Sequence, residues 1–116
     1  MKLTTTQRGF ALGEFEDANG QLCSIQKSSA CCVNEEEGEY IWLGNVDAAP
    51  VVMASTAHLV GVKTNETTGW VPYPVPQDVL MHTRMHLSQR QVKELLPLLR
   101  HFVKTGELPE SKKETL

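Results

Sequence analysis

The chain has 116 residues, of which 41% are hydrophobic and 22% are charged, and its net charge is −3. A chain of this length fits one domain, predicted over residues 1–116 with flexible ends at residues 1–8 and 109–116, and has no room for a second. The acidic balance argues against a general nucleic-acid binder, because such proteins usually present a strongly basic surface.

The sequence also bears on the compartment. It contains no apolar run long enough to span a bilayer, and its N-terminal residues lack the apolar core of a secretory signal, so we expect no membrane association. The three cysteines are Cys23, Cys31 and Cys32. An odd number with an adjacent pair makes a poor disulfide framework, which favours free thiols in a reducing, cytoplasmic environment.

The first elements form a predicted hairpin. Residues 10–16 and 21–27 alternate as strands do, and Asp17-Ala18-Asn19-Gly20 lies between them. Asn-Gly tolerates the positive φ angles of a tight turn, so the two strands should pair as antiparallel neighbours.

The middle of the chain is less regular. Residues 28–39 are predicted to form a loop whose acidic run, residues 35–37, faces solvent. A short strand follows at residues 40–43, with weaker strand candidates at 51–53 and 58–62. Residues 63–78 contain Gly69 and three prolines, which predict an extended connection without ladder hydrogen bonds.

The C-terminal part is predicted as a strand over residues 79–87 followed by a helix. Ser88 and Gln91 have the spacing of a capping box, and Gly106 is placed for a left-handed C-cap. Pro97 should bend the helix. One apolar stripe runs along it: Val92, Leu95, Leu96, Leu99, Phe102 and Val103. The expected fold class is α+β, a small antiparallel sheet with this kinked amphipathic helix packed on one face.

The alternation in the last strand puts His82, Arg84 and His86 on one face. Four residues along a strand span about 13 Å, whereas zinc ligands lie about 2 Å from the ion, so these histidines should not share a metal. No nucleophile with a supporting base and no glycine-rich phosphate loop is recognisable either. The sequence therefore predicts no metal, no cofactor and no enzymatic activity.

Two interpretations of that face stay open. It could bind an anion, with Arg84 forking onto a phosphate and the neighbouring helix N-terminus adding backbone donors. It could equally be a polar strand side that faces solvent. Trp42 could likewise stack a nucleobase or simply pack.

Several blocks resemble a family of small phage-encoded proteins. They are Phe15-Glu16-Asp17 with Gly20, CSIQKSS at 23–29, IWLG at 41–44, and RMHLSQRQVKELLPLLRHFVKTGEL at 84–108. Residues 45–80 match nothing in that pattern.

The resemblance implies a phage anti-defence protein in the host cytoplasm. It would sequester a phosphate-bearing nucleotide signal, of the cyclic oligonucleotide or cyclic ADP-ribose type, as in inhibition of Thoeris. Arg84, His86 and His82 would hold phosphate, Gln26, Ser28 and Ser29 would bind ribose or base, and Trp42 would stack. Such proteins often form symmetric homo-oligomers, a dimer or higher. The alternatives are a protein-binding inhibitor of a host factor, similar to anti-CRISPR proteins, that uses residues 35–37, and an enzyme that degrades the signal.

Overall fold

The computed structural model describes residues 1–110 and confirms the α+β class. Five strands form one antiparallel sheet in the spatial order β1-β2-β3-β6-β9. Their bounds are Leu3–Thr5 (β1), Ala11–Glu16 (β2), Leu22–Lys27 (β3), Tyr40–Asn45 (β6) and Arg84–Ser88 (β9). The flexible end predicted at residues 109–116 lies, from residue 111 onward, outside the described residues.

The hairpin predicted at Asn19-Gly20 is confirmed. The backbone N–H of Asp17 donates to the carbonyl oxygen of Gln21 at 3.0 Å, and Gly20 has the positive φ of 80° that the turn requires. The Asp17 carboxylate accepts hydrogen bonds from the backbone N–H groups of Asn19 and Gln21. These local bonds close the turn and fix the register of β2 on β3.

The first residues contain a strand that the sequence does not predict. The flexibility expected of residues 1–8 stays a prediction, and Leu3–Thr5 pairs with β2 as an edge strand. Gly13 makes room for it, since a Cβ atom there would come within 2.9 Å of the Leu3 side chain. The sequence does not reveal this strand because its residues are mostly polar. A strand at the edge of a sheet pairs on one side only and can carry exposed polar side chains.

The predicted loop at residues 28–39 contains a small hairpin, Cys32–Val33 (β4) and Glu36–Glu37 (β5). Asn34 and Glu35 form its turn with positive φ angles of 49° and 66°. The hydroxyl of buried Tyr40 accepts a hydrogen bond from the Val33 N–H and donates to the Glu36 carbonyl oxygen. Tyr40 therefore holds this hairpin against the main sheet.

A second small unit follows β6. Val51–Met53 (β7) pairs with Trp70–Pro72 (β8). A 3₁₀ helix, Ala54–Val60, begins directly after β7 and lies between the two strands in sequence. The strand predicted at residues 58–62 is wrong, because the 3₁₀ helix continues to Val60 and ends at Gly61 with φ 78°. The prediction that residues 63–78 make no ladder hydrogen bonds is wrong for Trp70–Pro72, which pairs with β7. Ala54, Ala57 and Val71 make the core of this unit.

The last strand is shorter than predicted. It begins at Arg84, which pairs with Gly44 of β6, and residues 79–83 are irregular. The reason is the lack of a partner: β6 ends at Asn45, so no strand continues beside residues 79–83. His82 is therefore not part of β9.

The helix α1, Gln89–Thr105, begins and ends where the sequence predicts. The Ser88 hydroxyl accepts from the Gln91 N–H at 3.2 Å, and the Gln91 side chain accepts from the Ser88 N–H at 2.9 Å, completing the capping box. Gly106 adopts φ 77° and its N–H donates to the Phe102 carbonyl oxygen at 2.8 Å. Pro97 lies inside the helix, and the bend expected there stays a prediction.

The expected packing of the helix on the sheet is wrong for a single chain, because α1 buries none of its residues. Ser88 is both the last residue of β9 and the helix N-cap, so no loop is available to turn the helix back over its own sheet. No helix among residues 1–110 is long and apolar enough to cross a membrane.

Candidate functional site

The two faces of the main sheet differ in chemistry. Register partners on adjacent strands share a face, and Gln26, Trp42 and His86 form one row across β3, β6 and β9. Arg84 lies two residues from His86 on the same side. We call the surface made by Gln26, Trp42, Arg84 and His86 the Trp42 face.

The centre of this face is an aromatic stack. The rings of Trp42 and His86 lie 3.8 Å apart between centroids with an interplanar angle of 14°. The Arg84 guanidinium carbon lies 5.4 Å from the Trp42 ring centroid, within the range of a cation–π contact. His86 and Arg84, both on β9, therefore hold the Trp42 indole of β6 in place.

Arg84 is held by a neutral partner. Its Nη1 atom donates to the Gln26 Oε1 atom at 3.0 Å. Among the described residues, no carboxylate forms an ion pair with Arg84. A guanidinium carries five N–H donors. Since Gln26 accepts from one of them and adds no negative charge, Arg84 keeps its charge and its remaining donors for an incoming anion.

His86 is fixed from two further directions. Its Nε2 atom shares a hydrogen bond of 2.8 Å with the hydroxyl of Ser28, which is only 3% exposed. The Ser28 hydroxyl also accepts from the Ala30 N–H at 3.1 Å. The Tyr40 ring lies 5.1 Å from the His86 ring. The imidazole is thus oriented by its surroundings before any ligand arrives.

Trp42 lines two cavities. The larger, about 620 Å³, is lined by Trp42, His82, Thr83 and Arg84, by the carboxylate of Asp47, and by apolar residues of the 46–48 and 75–81 segments. The smaller, about 420 Å³, is lined by Arg8, Gln26, Ser29 and Trp42 among others. Both volumes fall in the range typical of small-molecule sites.

The structure brings the residues singled out in the sequence to one region, by different routes. Arg84 and His86 share the strand face, as the alternation predicts. His82 lies outside the strand but lines the same cavity as Arg84. Ser28 lies beneath His86, and Ser29 lines the smaller cavity.

Sequence reasoning missed Arg8 and Phe10. The Arg8 guanidinium carbon lies 5.4 Å from the Phe10 ring centroid, and both residues line the smaller cavity. No motif marks them, because Arg8 lies at the end of a segment whose polar composition predicts flexibility and Phe10 begins a predicted strand.

The helix N-terminus does not contribute donors as expected. The Gln89 N–H donates to the Glu39 carbonyl oxygen at 3.2 Å, and the Gln91 N–H is used by Ser88. Two of the first three backbone donors are therefore engaged within the chain. The basic character of the site comes from side chains instead.

The acidic run is partly engaged in the fold. Arg90 donates from Nε and Nη2 to the two carboxylate oxygens of Glu36, at 3.0 and 3.3 Å. The hydrogen bond from Arg90 holds the pKa of the Glu36 carboxyl below its usual value. Glu35 and Glu37 remain exposed.

Other reactive groups lie apart from the Trp42 face. Cys23, Cys31 and Cys32 are free thiols, and Cys23 is buried. Within residues 1–110, no group of three or more His, Cys, Asp or Glu side chains is placed to hold a metal ion. No protein-family model, curated protein or solved structure matches this chain.

Proposed function

We propose that this protein binds and sequesters a phosphate-bearing nucleotide signal on the Trp42 face. The observation that carries the proposal is the placement of Arg84 beside a stacked Trp42, which lines two cavities. A cation and an aromatic plane are the two elements that a nucleotide requires, one for phosphate and one for base.

The phosphate would meet Arg84 first. The guanidinium is planar and permanently charged, and it suits bidentate contact with phosphate oxygens. His82 lines the same cavity, where Asp47 is the one acidic residue among those the structure describes, and Arg8 lines the smaller cavity. A ligand with two separated phosphates, as in cyclic oligonucleotides, would engage both cavities, whereas the adjacent phosphates of a cyclic ADP-ribose derivative would meet Arg84 together.

The polar residues of the smaller cavity would bind the rest of the ligand. Gln26 and Ser29 offer amide and hydroxyl groups suited to ribose or base edges. The hydrogen bond between Ser28 and His86 fixes the neighbouring part of the Trp42 face. Sites with a few convergent polar groups on an apolar wall favour orientation of a small molecule.

Sequestration rather than turnover fits these residues. Binding needs only affinity, and a rigid, pre-oriented site limits the entropy lost on association. The resemblance to phage-encoded proteins favours an anti-defence function in the host cytoplasm, carried out by a homo-oligomer. Two alternatives accompany it: a protein-binding inhibitor that uses Glu35 to Glu37, and an enzyme that degrades the signal.

One experiment separates these functions. Purified protein is mixed with a panel of cyclic oligonucleotides and cyclic ADP-ribose isomers, free ligand is filtered away, and the protein is heat-denatured. Recovery of intact ligand supports sequestration, and recovery of altered ligand indicates an enzyme. If nothing is retained, the proposal fails. Reversal of the charges at residues 35–37 then tests the inhibitor alternative in a host-defence assay.

A further inference from the structure

The apolar stripe of α1 is uncovered. Leu99 is 54% exposed, Phe102 is 53% exposed and Val103 is 84% exposed, although all three lie on one side of a strongly amphipathic helix. Helices in proteins gain most of their stability from packing such a face. In one isolated copy this stripe contacts water.

The main sheet has a matching uncovered surface. Opposite the Trp42 face, Ile25, Leu43 and Met85 are register partners across β3, β6 and β9. Ile41 and Leu87 form the next row. We call these five residues the apolar face. None of the five is buried, and Met85 is 53% exposed.

A groove joins the two surfaces. It has a volume of about 370 Å³ and is lined by Ile41 and Leu87 of the apolar face and by Val92 and Leu96 of α1, among others. The uncovered surface therefore runs without interruption from sheet to helix. Its continuity indicates a single large contact rather than scattered exposed residues.

The size of the exposed surface indicates what covers it. The chain exposes 9996 Å², whereas a folded monomer of this mass exposes about 6,300 Å². Its radius of gyration is 19.1 Å, against about 13 Å for a compact chain of this length. The excess is roughly 3,700 Å² per chain, or about 7,400 Å² for two copies. This is more than enough for the total of about 2,000–5,000 Å² that obligate dimers bury.

We infer that a second copy of this chain covers both surfaces by reciprocal exchange. Each α1 lies across the apolar face of its partner, and the two-fold axis passes between the copies. Such an interface is isologous, so the contact between the α1 stripe of one copy and the apolar face of the other occurs twice. A helix of 17 residues is about 25 Å long, enough to cross the strands of a small sheet.

This arrangement leaves the ligand site accessible. The exchanged helix would occupy the side of the sheet opposite Gln26, Trp42, Arg84 and His86. The inference specifies the homo-oligomer of the proposed function. It uses surfaces apart from the Trp42 face, so dimerisation and nucleotide binding can fail separately.

The first test is the oligomeric state. We expect the parent protein to have at least twice the mass of one chain by light scattering, and its Tm to rise with concentration. Leu99→Asp should give a monomer at the same concentration. His101→Asp, on the opposite side of the helix, should keep the parental mass. A monomeric parent, or an oligomer that Leu99→Asp leaves intact, would overturn the inference.

Crosslinking keeps the inference testable if Leu99→Asp fails to fold. In a background with the native cysteines replaced by serine, one chain carries Leu43→Cys and a differently tagged chain carries Leu99→Cys. After co-refolding and mild oxidation, we expect disulfide-linked heterodimers of the two tags. Crosslinks only between two Leu99→Cys chains would show helix-on-helix packing and would contradict the exchange.

Discussion

The Nη1 atom of Arg84 donates to the Oε1 atom of Gln26 at 3.0 Å, although the two residues are 58 positions apart and their strands are separated by β6. The bond passes over β6 beside the Trp42 indole. It fixes the guanidinium above the sheet through an uncharged partner, so the positive charge is oriented without being neutralised. This relationship is the basis of the proposed anion site.

Substitution of Gln26 should weaken ligand binding without unfolding the chain. In Gln26→Leu the guanidinium loses its orienting acceptor, and the loss of one hydrogen bond of about 1 kcal/mol corresponds to a several-fold weaker Kd. Titration calorimetry with the retained ligand measures the change. Gln77→Leu, at an exposed glutamine that lines neither cavity, should bind as the parent does. Equal affinity in both variants would show that Gln26 has no orienting role.

Substitution of Gly44 by alanine should destabilise the protein more than the same substitution at a glycine in a turn. It has φ 146°, and a Cβ atom there would come within 2.8 Å of the Thr83 carbonyl oxygen. Gly44→Ala should therefore lower the free energy of unfolding by about 2–4 kcal/mol, from strain and steric overlap combined. Urea denaturation measures it.

The matched control is Gly20→Ala. Gly20 has φ 80°, but a methyl group there would meet open space, with no other atom within 4 Å. Only the conformational cost of about 1 kcal/mol should remain there. Equal losses for the two variants would show that the close approach of β6 and Thr83 does not matter.

Two buried serines should behave in opposite ways. Ser24 is 2% exposed, and its hydroxyl has no hydrogen-bond partner within residues 1–110. Ser24→Ala should be neutral or stabilise the protein by up to about 1 kcal/mol, because no bond is lost. Ser28→Ala should cost about 1–3 kcal/mol, since the Ala30 N–H and the His86 imidazole each lose a partner. Thermal or urea unfolding that ranks the two variants the other way would contradict this account.

The Glu36–Arg90 pair should contribute to stability in a defined pH range. Hydrogen bonding to Arg90 lowers the pKa of Glu36 from its ordinary value of 4.5. A carboxyl with a depressed pKa stabilises the fold above its unfolded pKa, and the contribution is lost as the pH falls through the folded value. The contribution should be modest, because the side chain is 34% exposed.

Glu36→Gln should therefore make Tm less dependent on pH below about 4.5, with little change in slope above it. The exposed neighbour Glu37 gives the control, and Glu37→Gln should keep the parental dependence. Scanning calorimetry between acid and neutral pH measures both. If the two variants have the same profile, the ion pair does not stabilise the hairpin.

Local patterns predict the structure well where neighbours in sequence decide it. Asn19-Gly20 selects the hairpin, and Ser88, Gln91 and Gly106 set the ends of the helix through bonds to residues at most four positions away. The alternation of Arg84 and His86 also places both residues on one face.

Long-range pairing explains what the sequence concealed. Trp70–Pro72 forms a strand only because Val51–Met53 lies beside it, and residues 79–83 lack a strand because β6 ends first. An amphipathic stripe indicates that α1 is covered, but it does not indicate which chain covers it. The approach of Arg8 to the smaller cavity depends on the pairing of β1 with β2, which no local motif marks.

The most direct test is the affinity of the Trp42 face for the ligand that the parent protein retains. Calorimetry should give a Kd for Arg84→Ala that is about 10- to 100-fold weaker than the parental value, the cost of a charge-assisted contact. Arg100→Ala, on the exposed helix, should match the parent. Parental affinity in Arg84→Ala would contradict the assignment of the site.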